Sequence, residues 1–391
     1  MRIAFVIPYF YPAKNYGGKP QVAYDMARAL VSRGHELTVM TTDSEGKRRI
    51  PPERIKEIHE NGLHGIRVHF YRNVSNALAY RHRLFLPIAF FGKARAALAG
   101  REVIHIHDFR SLLAVASHAS AQALRIPYVL SPHGGLPRLG KESTKQIFDG
   151  LWGKAILRDC AALCAISPLE ERDAEASGIE GRRIHSFPPA VNVDDFRKLP
   201  PSGTFSSRWG LEGREIILFL GRLHWIKGAD ILIEAMSLIP DLPDLHLVIS
   251  GPDDGAEAQL RSLAKSRGLG KKVTFTGLLG VADKLSALTD SQLLVVPSRR
   301  EGFPLAVLES LAARTPVILT SACELGDWIQ QQPGLISFRS EDSEDLAQKI
   351  RATLSRLPGR EVMIDGSNFV MNKFSLDALA DRAELLYRSL V

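Results

Sequence analysis

Short apolar runs alternate with helix-period segments along the whole chain, and the alternation starts afresh near Glu215. Each run is too short for a helix of its own and reads as a strand buried on both faces. Helices must then cover those faces, which demands an α/β architecture with parallel sheets. In the first half, strands are expected at Ile3–Ile7, Leu37–Thr41, Ile66–Phe70, Val103–Ile106, Tyr128–Leu130, Ala162–Ile166 and Ile184–Phe187. A helix is expected from about Pro20 to Arg33, where Val22, Met26 and Leu30 share a face. Pro20 suits the first helical position, and Gly34 suits the left-handed position past the last turn.

The second series opens with a strand at Glu215–Leu220, a loop at Gly221–Gly228, a helix at Ala229–Ile239 and a strand at Leu245–Ser250. It continues through Val273–Thr276, Leu293–Val296, Val317–Thr320 and Leu335–Phe338. A length of 391 residues suits two domains. The stretch Phe187–Gly213, containing Pro, Ser and Gly, fits the connection between them. The simplest reading is two Rossmann-like domains, 1–195 and 196–374, facing across a cleft. Open parallel sheets bind ligands beyond the carboxyl ends of their strands, so the site is expected in that cleft.

A surplus of 50 Lys and Arg over 43 Asp and Glu gives a net charge of +7, which favours anionic partners without choosing among them. Three cysteines cannot frame a chain of this length with disulfides, which suits a reducing cytoplasm. The apolar start Ile3–Ile7 lacks a small-residue cleavage site and is cut short by Pro8. The greasiest stretch, Leu84–Gly92, is well short of the ~20 residues that span a bilayer. A soluble or peripheral protein is expected.

The segment Pro297–Ser310 follows a strand and opens an amphipathic helix, with Pro304 expected at the first helical position. Amides from Leu305 onward, together with the helix dipole, suit a diphosphate. Glu301 lies before the helix and Glu309 more than a turn inside it, so the two carboxylates can meet different parts of one elongated ligand. Each can accept two hydrogen bonds from a vicinal diol, as a sugar offers. Taken alone, the segment is equally well an exposed loop Glu and an ordinary surface helix Glu. In Gly221–Gly228, Arg222 and Lys227 set two cations at a strand's carboxyl end, where both suit a leaving diphosphate. A solvated basic loop is the plain alternative.

In the first half, Gly17-Gly18, His107-Asp108 and His133-Gly134-Gly135 stand at strand ends. Glycines there let backbone approach a phosphate or sugar closely. His105 and His107 share a strand face; a packed, hydrogen-bonded pair is favoured over metal ligands, and no Cys is near. Ser167-Pro168-Leu169-Glu170 fits a helix-capping box. Cys160 and Cys164 read as buried small hydrophobes, four apart on a helix. There is no Asp-x-Asp triplet to hold a divalent cation against a diphosphate, no G-x-G-x-x-G before a helix and no Gly-Lys-Ser/Thr loop. Dinucleotide oxidoreduction and nucleotide hydrolysis lose ground accordingly.

Glu301 and Glu309 with seven residues between, Gly221-Arg222 with Lys227-Gly228, the Gly17-Gly18 loop and His133-Gly134 together resemble the retaining family-4 (group 1) glycosyltransferases. The resemblance covers nearly the whole chain. It implies the GT-B architecture, a nucleotide-sugar donor and no bound metal or other cofactor. It further implies that Arg222 and Lys227 hold the diphosphate and that Glu309 holds the ribose. Glu301 would hold the donor sugar beside the amides of Phe303 and Leu305. His133 would contact that sugar from the first domain, and Gly18 would let backbone approach the diphosphate. The stretch from Phe374 to Leu390 is similar to the family's final helix, which crosses back to the first domain and extends it by residues 375–391. Leu376 replaces a common Trp, and Pro189-Ala190-Val191-Asn192 stands in place of the frequent Asn-Gly-Val-Asp.

The acceptor expected is a glycan or a lipid-linked acceptor, and the expected place of work is the cytoplasm, with peripheral contact at the inner face of the membrane as the alternative. The stretch Arg81–Lys93 mixes bases with bulky apolars and suits anionic lipid, although a buried helix or loop is the favoured reading because Pro87 interrupts the pattern. Two other classes compete. A sugar-nucleotide epimerase or hydrolase could use the same carboxylates and cations. A basic nucleic-acid or membrane-binding protein would show a continuous cationic stripe with interleaved aromatics; here most cations are scattered, so no nucleic-acid partner is expected.

Overall fold

A computed structural model describes the chain except residues 14, 15, 17, 138–141, 324 and 326–330. By internal contacts it divides into two units: Met1–Pro189 with Leu376–Val391, and Ala190–Ser375.

The first unit is built on seven strands: β1 (Arg2–Val6), β2 (Glu36–Thr42), β5 (Arg67–Tyr71), β6 (Val103–His107), β7 (Tyr128–Ser131), β8 (Ala162–Ala165) and β9 (Ile184–Ser186). They lie in the order β5-β2-β1-β6-β7-β8-β9, and every pairing is parallel. A separate antiparallel hairpin, β3 (Ser44–Glu45) with β4 (Arg48–Arg49), was not foreseen; its strands are too short to leave a hydropathy signal. The central strands are buried on both faces, as their apolar runs require. The helix Gly18–Ser32 packs against the final helix Leu376–Arg388, where Arg33 meets Asp377, Asp381 and Glu384 and His35 meets Glu384.

The second unit carries β10 (Glu215–Leu220), β11 (Leu245–Ser250), β12 (Val273–Gly277), β13 (Ser291–Val296), β14 (Val317–Thr320) and β15 (Leu335–Phe338). Their order is β12-β11-β10-β13-β14-β15, again all parallel. In each sheet the strand order reverses beside the first strand, between β1 and β6 and between β10 and β13. Such switch points open the crevice where these sheets bind ligands.

Two expectations are corrected. Cys164 lies on β8 and Cys160 caps the preceding helix Lys154–Asp159, so the four-residue spacing was not helical; both thiols are buried. The stretch Arg81–Lys93 is not wholly buried. Phe85 and Phe90 enter the core, whereas Ile88 is 69% exposed and Phe91 41%. Pro87 precedes the helix Ile88–Leu98 and so divides the segment, as its ring dictates.

Candidate active site

In the second unit, the loop after β10 is tied to its neighbours by backbone. Gly221 N–H donates to Ser250 O at 3.0 Å, and Leu223 N–H to Pro252 O at 2.9 Å. A Cβ on Gly251 would fall 1.8 Å from Gly221 O, and one on Gly228 would fall 2.0 Å from Pro297 O. Only glycine permits these approaches, and they draw the β10, β11 and β13 loops together. Arg299 reinforces this: its N–H donates to Ile226 O, and its guanidinium forks onto Asp230 at 2.6 and 2.9 Å.

On this frame Lys227 Nζ donates to Glu301 Oε2, and Ser298 Oγ approaches the same oxygen at 3.4 Å. The two expected site residues from different loops are therefore in direct contact. Arg222 donates to Asp254, which follows β11. Glu309, on the helix Leu305–Ala312, accepts from Lys284 on the helix Val281–Asp290. Sequence reasoning missed Lys284 and Asp254. Lys284 sits on an unremarkable amphipathic helix, and only folding brings it to Glu309. Asp254 had a weak signal, an acidic pair just past the Gly251-Pro252 that ends β11.

Pro304 is the residue before the helix, with ψ 114°, rather than its first helical residue. Leu305 opens the helix, so its amide and that of Ala306 are the first-turn donors. The Phe303 side chain is buried against Phe374, which leaves its backbone as the part available to a ligand. Burial, with the Glu301 carboxylate beside it, holds the Cys323 thiol well above its usual range, which disfavours the thiolate form.

In the first unit, His105 and His107 lie buried on β6 with rings stacked at 4.1 Å. His105 spends both nitrogens, on the Tyr387 hydroxyl (2.5 Å) and on Ser131 Oγ (2.7 Å). His107 Nδ1 lies 3.0 Å from His133 Nε2. Burial, aided by neighbouring His107 and Lys19, holds His133 well below the usual imidazole range. His133 and Gly134 both have positive φ, at 51° and 75°, forming a tight turn after β7. Two groups pin that turn. Arg110 donates to Gly135 O and to Leu136 O while forking onto Asp149.

The second group is the buried Glu170, which accepts from Gly134 N–H at 2.5 Å and from Ile166 N–H at 2.9 Å. Ser167 caps its helix as expected, but Glu170 does not close the capping box on Ser167 itself. Its carboxylate bonds one residue earlier and reaches across to the His133 turn. Gly18 starts its helix beside the β1 loop, and Gly17 lies outside the described residues. Among the described residues, no group of three or more His, Cys, Asp or Glu side chains is arranged to hold a metal ion.

A parallel sheet with paired cationic and acidic side chains at its switch point suits a nucleotide-sugar enzyme, and the comparisons with known proteins point to the same class. Residues 204–368 match the group 1 glycosyl transferases, and residues 17–190 match the glycosyl transferase 4-like domain. The chain belongs to the group 1 glycosyltransferases. It is 27% identical to an uncharacterized glycosyltransferase of Methanocaldococcus jannaschii, over 99% of this chain and 98% of that one. It is 31% identical to the mannosylfructose-phosphate synthase of Agrobacterium fabrum, over 53% of this chain and 51% of that one. The fold is that of the GT-B enzymes. The crystal structure of HepE from Anabaena in complex with UDP superposes with a TM-score of 0.81 at 17% identity, covering 100% of both chains.

Proposed function

We propose that the protein is a retaining transferase that moves a sugar from a UDP- or GDP-sugar to a glycan or lipid-linked acceptor without a bound metal. The observation that carries this reading is the meeting of Lys227 with Glu301 at the β10/β13 switch point, with Arg222 on the same loop as Lys227. In the assignment proposed, Arg222 and Lys227 hold the diphosphate, Glu309 the ribose hydroxyls and Glu301 the sugar hydroxyls. The amides of Phe303 and Leu305 assist, and Gly18 gives backbone access. His133 donates a hydrogen bond to the sugar. HepE has been crystallised with UDP-glucose, which favours a nucleotide-sugar donor here.

As the bond from the anomeric carbon to the phosphate oxygen breaks, negative charge grows on the diphosphate, and two fixed cations stabilise it most at that moment. The acceptor oxygen bonds to the anomeric carbon from the face the diphosphate leaves, and its proton passes to the departing phosphate oxygen. Product-anomer NMR tests retention, and an inverted product would defeat the same-face step. A thermal-shift panel of UDP-, GDP- and ADP-sugars identifies the donor: a ligand at a hundredfold its Kd stabilises by about 2.7 kcal/mol.

A peripheral membrane contact is part of this reading, because Ile88 and Phe91 stand exposed beside Arg81, Arg83 and Lys93. Among the described residues no helix is long and apolar enough to cross a membrane. Flotation with anionic vesicles is the test, and failure to co-float would remove the contact.

A further inference from the structure

The two ring nitrogens of His107 are in different surroundings. Its Nδ1 lies 3.0 Å from His133 Nε2, with the two rings tilted by only 12°. Its Nε2 is buried and has no hydrogen-bond partner among the described residues. The ring is held in its plane by stacking on His105 at 4.1 Å and by packing on Phe5 at 4.7 Å, and its Nδ1 is the nitrogen turned to His133. Burial pushes the His107 imidazole down to about 3, so it is neutral at physiological pH and carries one proton for two nitrogens.

A buried N–H without an acceptor is rarer and costlier than a buried lone pair without a donor. The proton therefore belongs on Nδ1, where it is donated to His133 Nε2. With Nε2 accepting, the neutral His133 must carry its own proton on Nδ1. The hydrogen bond made by one ring nitrogen decides what the other can do.

We propose that His107 is a positioning residue that fixes His133 as the Nδ1–H tautomer, so that His133 meets substrate as a hydrogen-bond donor and not as a base. The role for His133 rests on the proposed transferase reading; the tautomer assignment does not. Ser131 and Tyr387 hold His105 in place beneath His107, so the device runs from the final helix through β6 to the turn after β7.

Nitrogen-15 imidazole NMR on the full wild-type chain should show His133 protonated at Nδ1 with a bare Nε2. His107→Asn keeps an N–H donor near the Nδ1 position, whereas His107→Phe keeps the ring stacking and removes the donor. The Asn variant should retain the His133 tautomer and most of the kcat. The Phe variant should show mixed His133 tautomers and lose on the order of tenfold to a hundredfold in kcat, with donor KM little changed. An Nε2–H His133 in the wild type, or identical His133 signatures in the two variants, would overturn the assignment. A wild-type chain with the Nδ1–H signature but no sugar transfer would instead defeat the transferase reading and the catalytic use of His133.

Discussion

Lys227 Nζ donates to Glu301 Oε2 although the two residues lie 74 positions apart, and their side chains are only 22% and 15% exposed. The pair joins the loop that follows β10 to the loop that follows β13, so cation and carboxylate are placed as one unit. Lys227→Ala and Arg222→Ala should each lower kcat by about 10²–10³, the usual effect of removing a preorganised group that stabilises developing charge. Steady-state kinetics would check this, and near-normal rates in both variants would place the diphosphate elsewhere. Arg222→Lys should recover only part of the rate, because a point charge does not replace a fork. A double-mutant cycle of Lys227→Ala with Glu301→Gln should be non-additive by ~0.5–3 kcal/mol, as for residues in contact.

Glu309 is paired with Lys284, and Glu301 with Lys227, so the two carboxylates are separable. Glu309→Gln should weaken binding of the free nucleoside diphosphate, and Lys284→Met should weaken it too by releasing Glu309 from its pose. Glu301→Gln should leave that affinity nearly intact while lowering transfer, since the sugar must be oriented for attack. Calorimetry on the three variants measures this, and equal losses at Glu301 and Glu309 would overturn the division.

Transfer should persist in EDTA. Two cations, Arg222 and Lys227, stand in the loop proposed to hold the diphosphate, and the sequence has no Asp-x-Asp to hold a divalent ion. Abolition by EDTA with recovery on adding Mg or Mn would contradict this.

The fold carries two opposed pH dependences in its first unit. An unfolded His takes a proton near pH 6.5, but buried His107 resists protonation until about 3, and burial with histidine neighbours holds His105 well down too. Between those values the unfolded chain binds more protons, so stability falls as the pH drops below about 6.5, by up to ~1.4 kcal/mol per pH unit for each such group. Burial pushes Glu170 the other way, up to about 7, despite the amides of Ile166 and Gly134. The folded chain then binds the Glu170 proton more readily, and this contribution is lost as pH rises towards 7. Thermal melts across pH should show His107→Asn flattening the acid limb and Glu170→Gln removing the fall in stability from about pH 5 to 7. Unchanged pH profiles in both would refute the burial effects.

Gly251→Ala should destabilise the second unit by about 1–3 kcal/mol, since its methyl group would meet the Gly221 carbonyl and the backbone must shift. The shift would also move Arg222, so the melting temperature and the nucleoside diphosphate affinity should fall together. A neutral substitution would show that the two loops part easily.

Residues close in sequence announced much of this protein. All thirteen expected strands formed; the central ones are buried on both faces and so are short, mostly apolar runs, whereas the edge strands β5, β9, β12 and β15 are only partly buried. Gly34 took its positive φ after the first helix, and Ser167 capped its own helix, since turn and cap chemistry are local. The loops bearing Arg222, Lys227 and Glu301 were placed at strand ends by the same periodicity, with Glu309 inside the helix that follows. What the sequence could not settle was partnership. Lys284 for Glu309, Asp254 for Arg222, Glu170 for the Gly134 amide and His107 for His133 are contacts between elements whose own patterns are indifferent to them. Hydrophobic periodicity reports which face of an element is buried and says nothing of which polar side chain waits on the next one. Only the packing of strand order and loop, fixed here by close backbone approaches such as that of Gly251 to Gly221, decides which charges and protons meet.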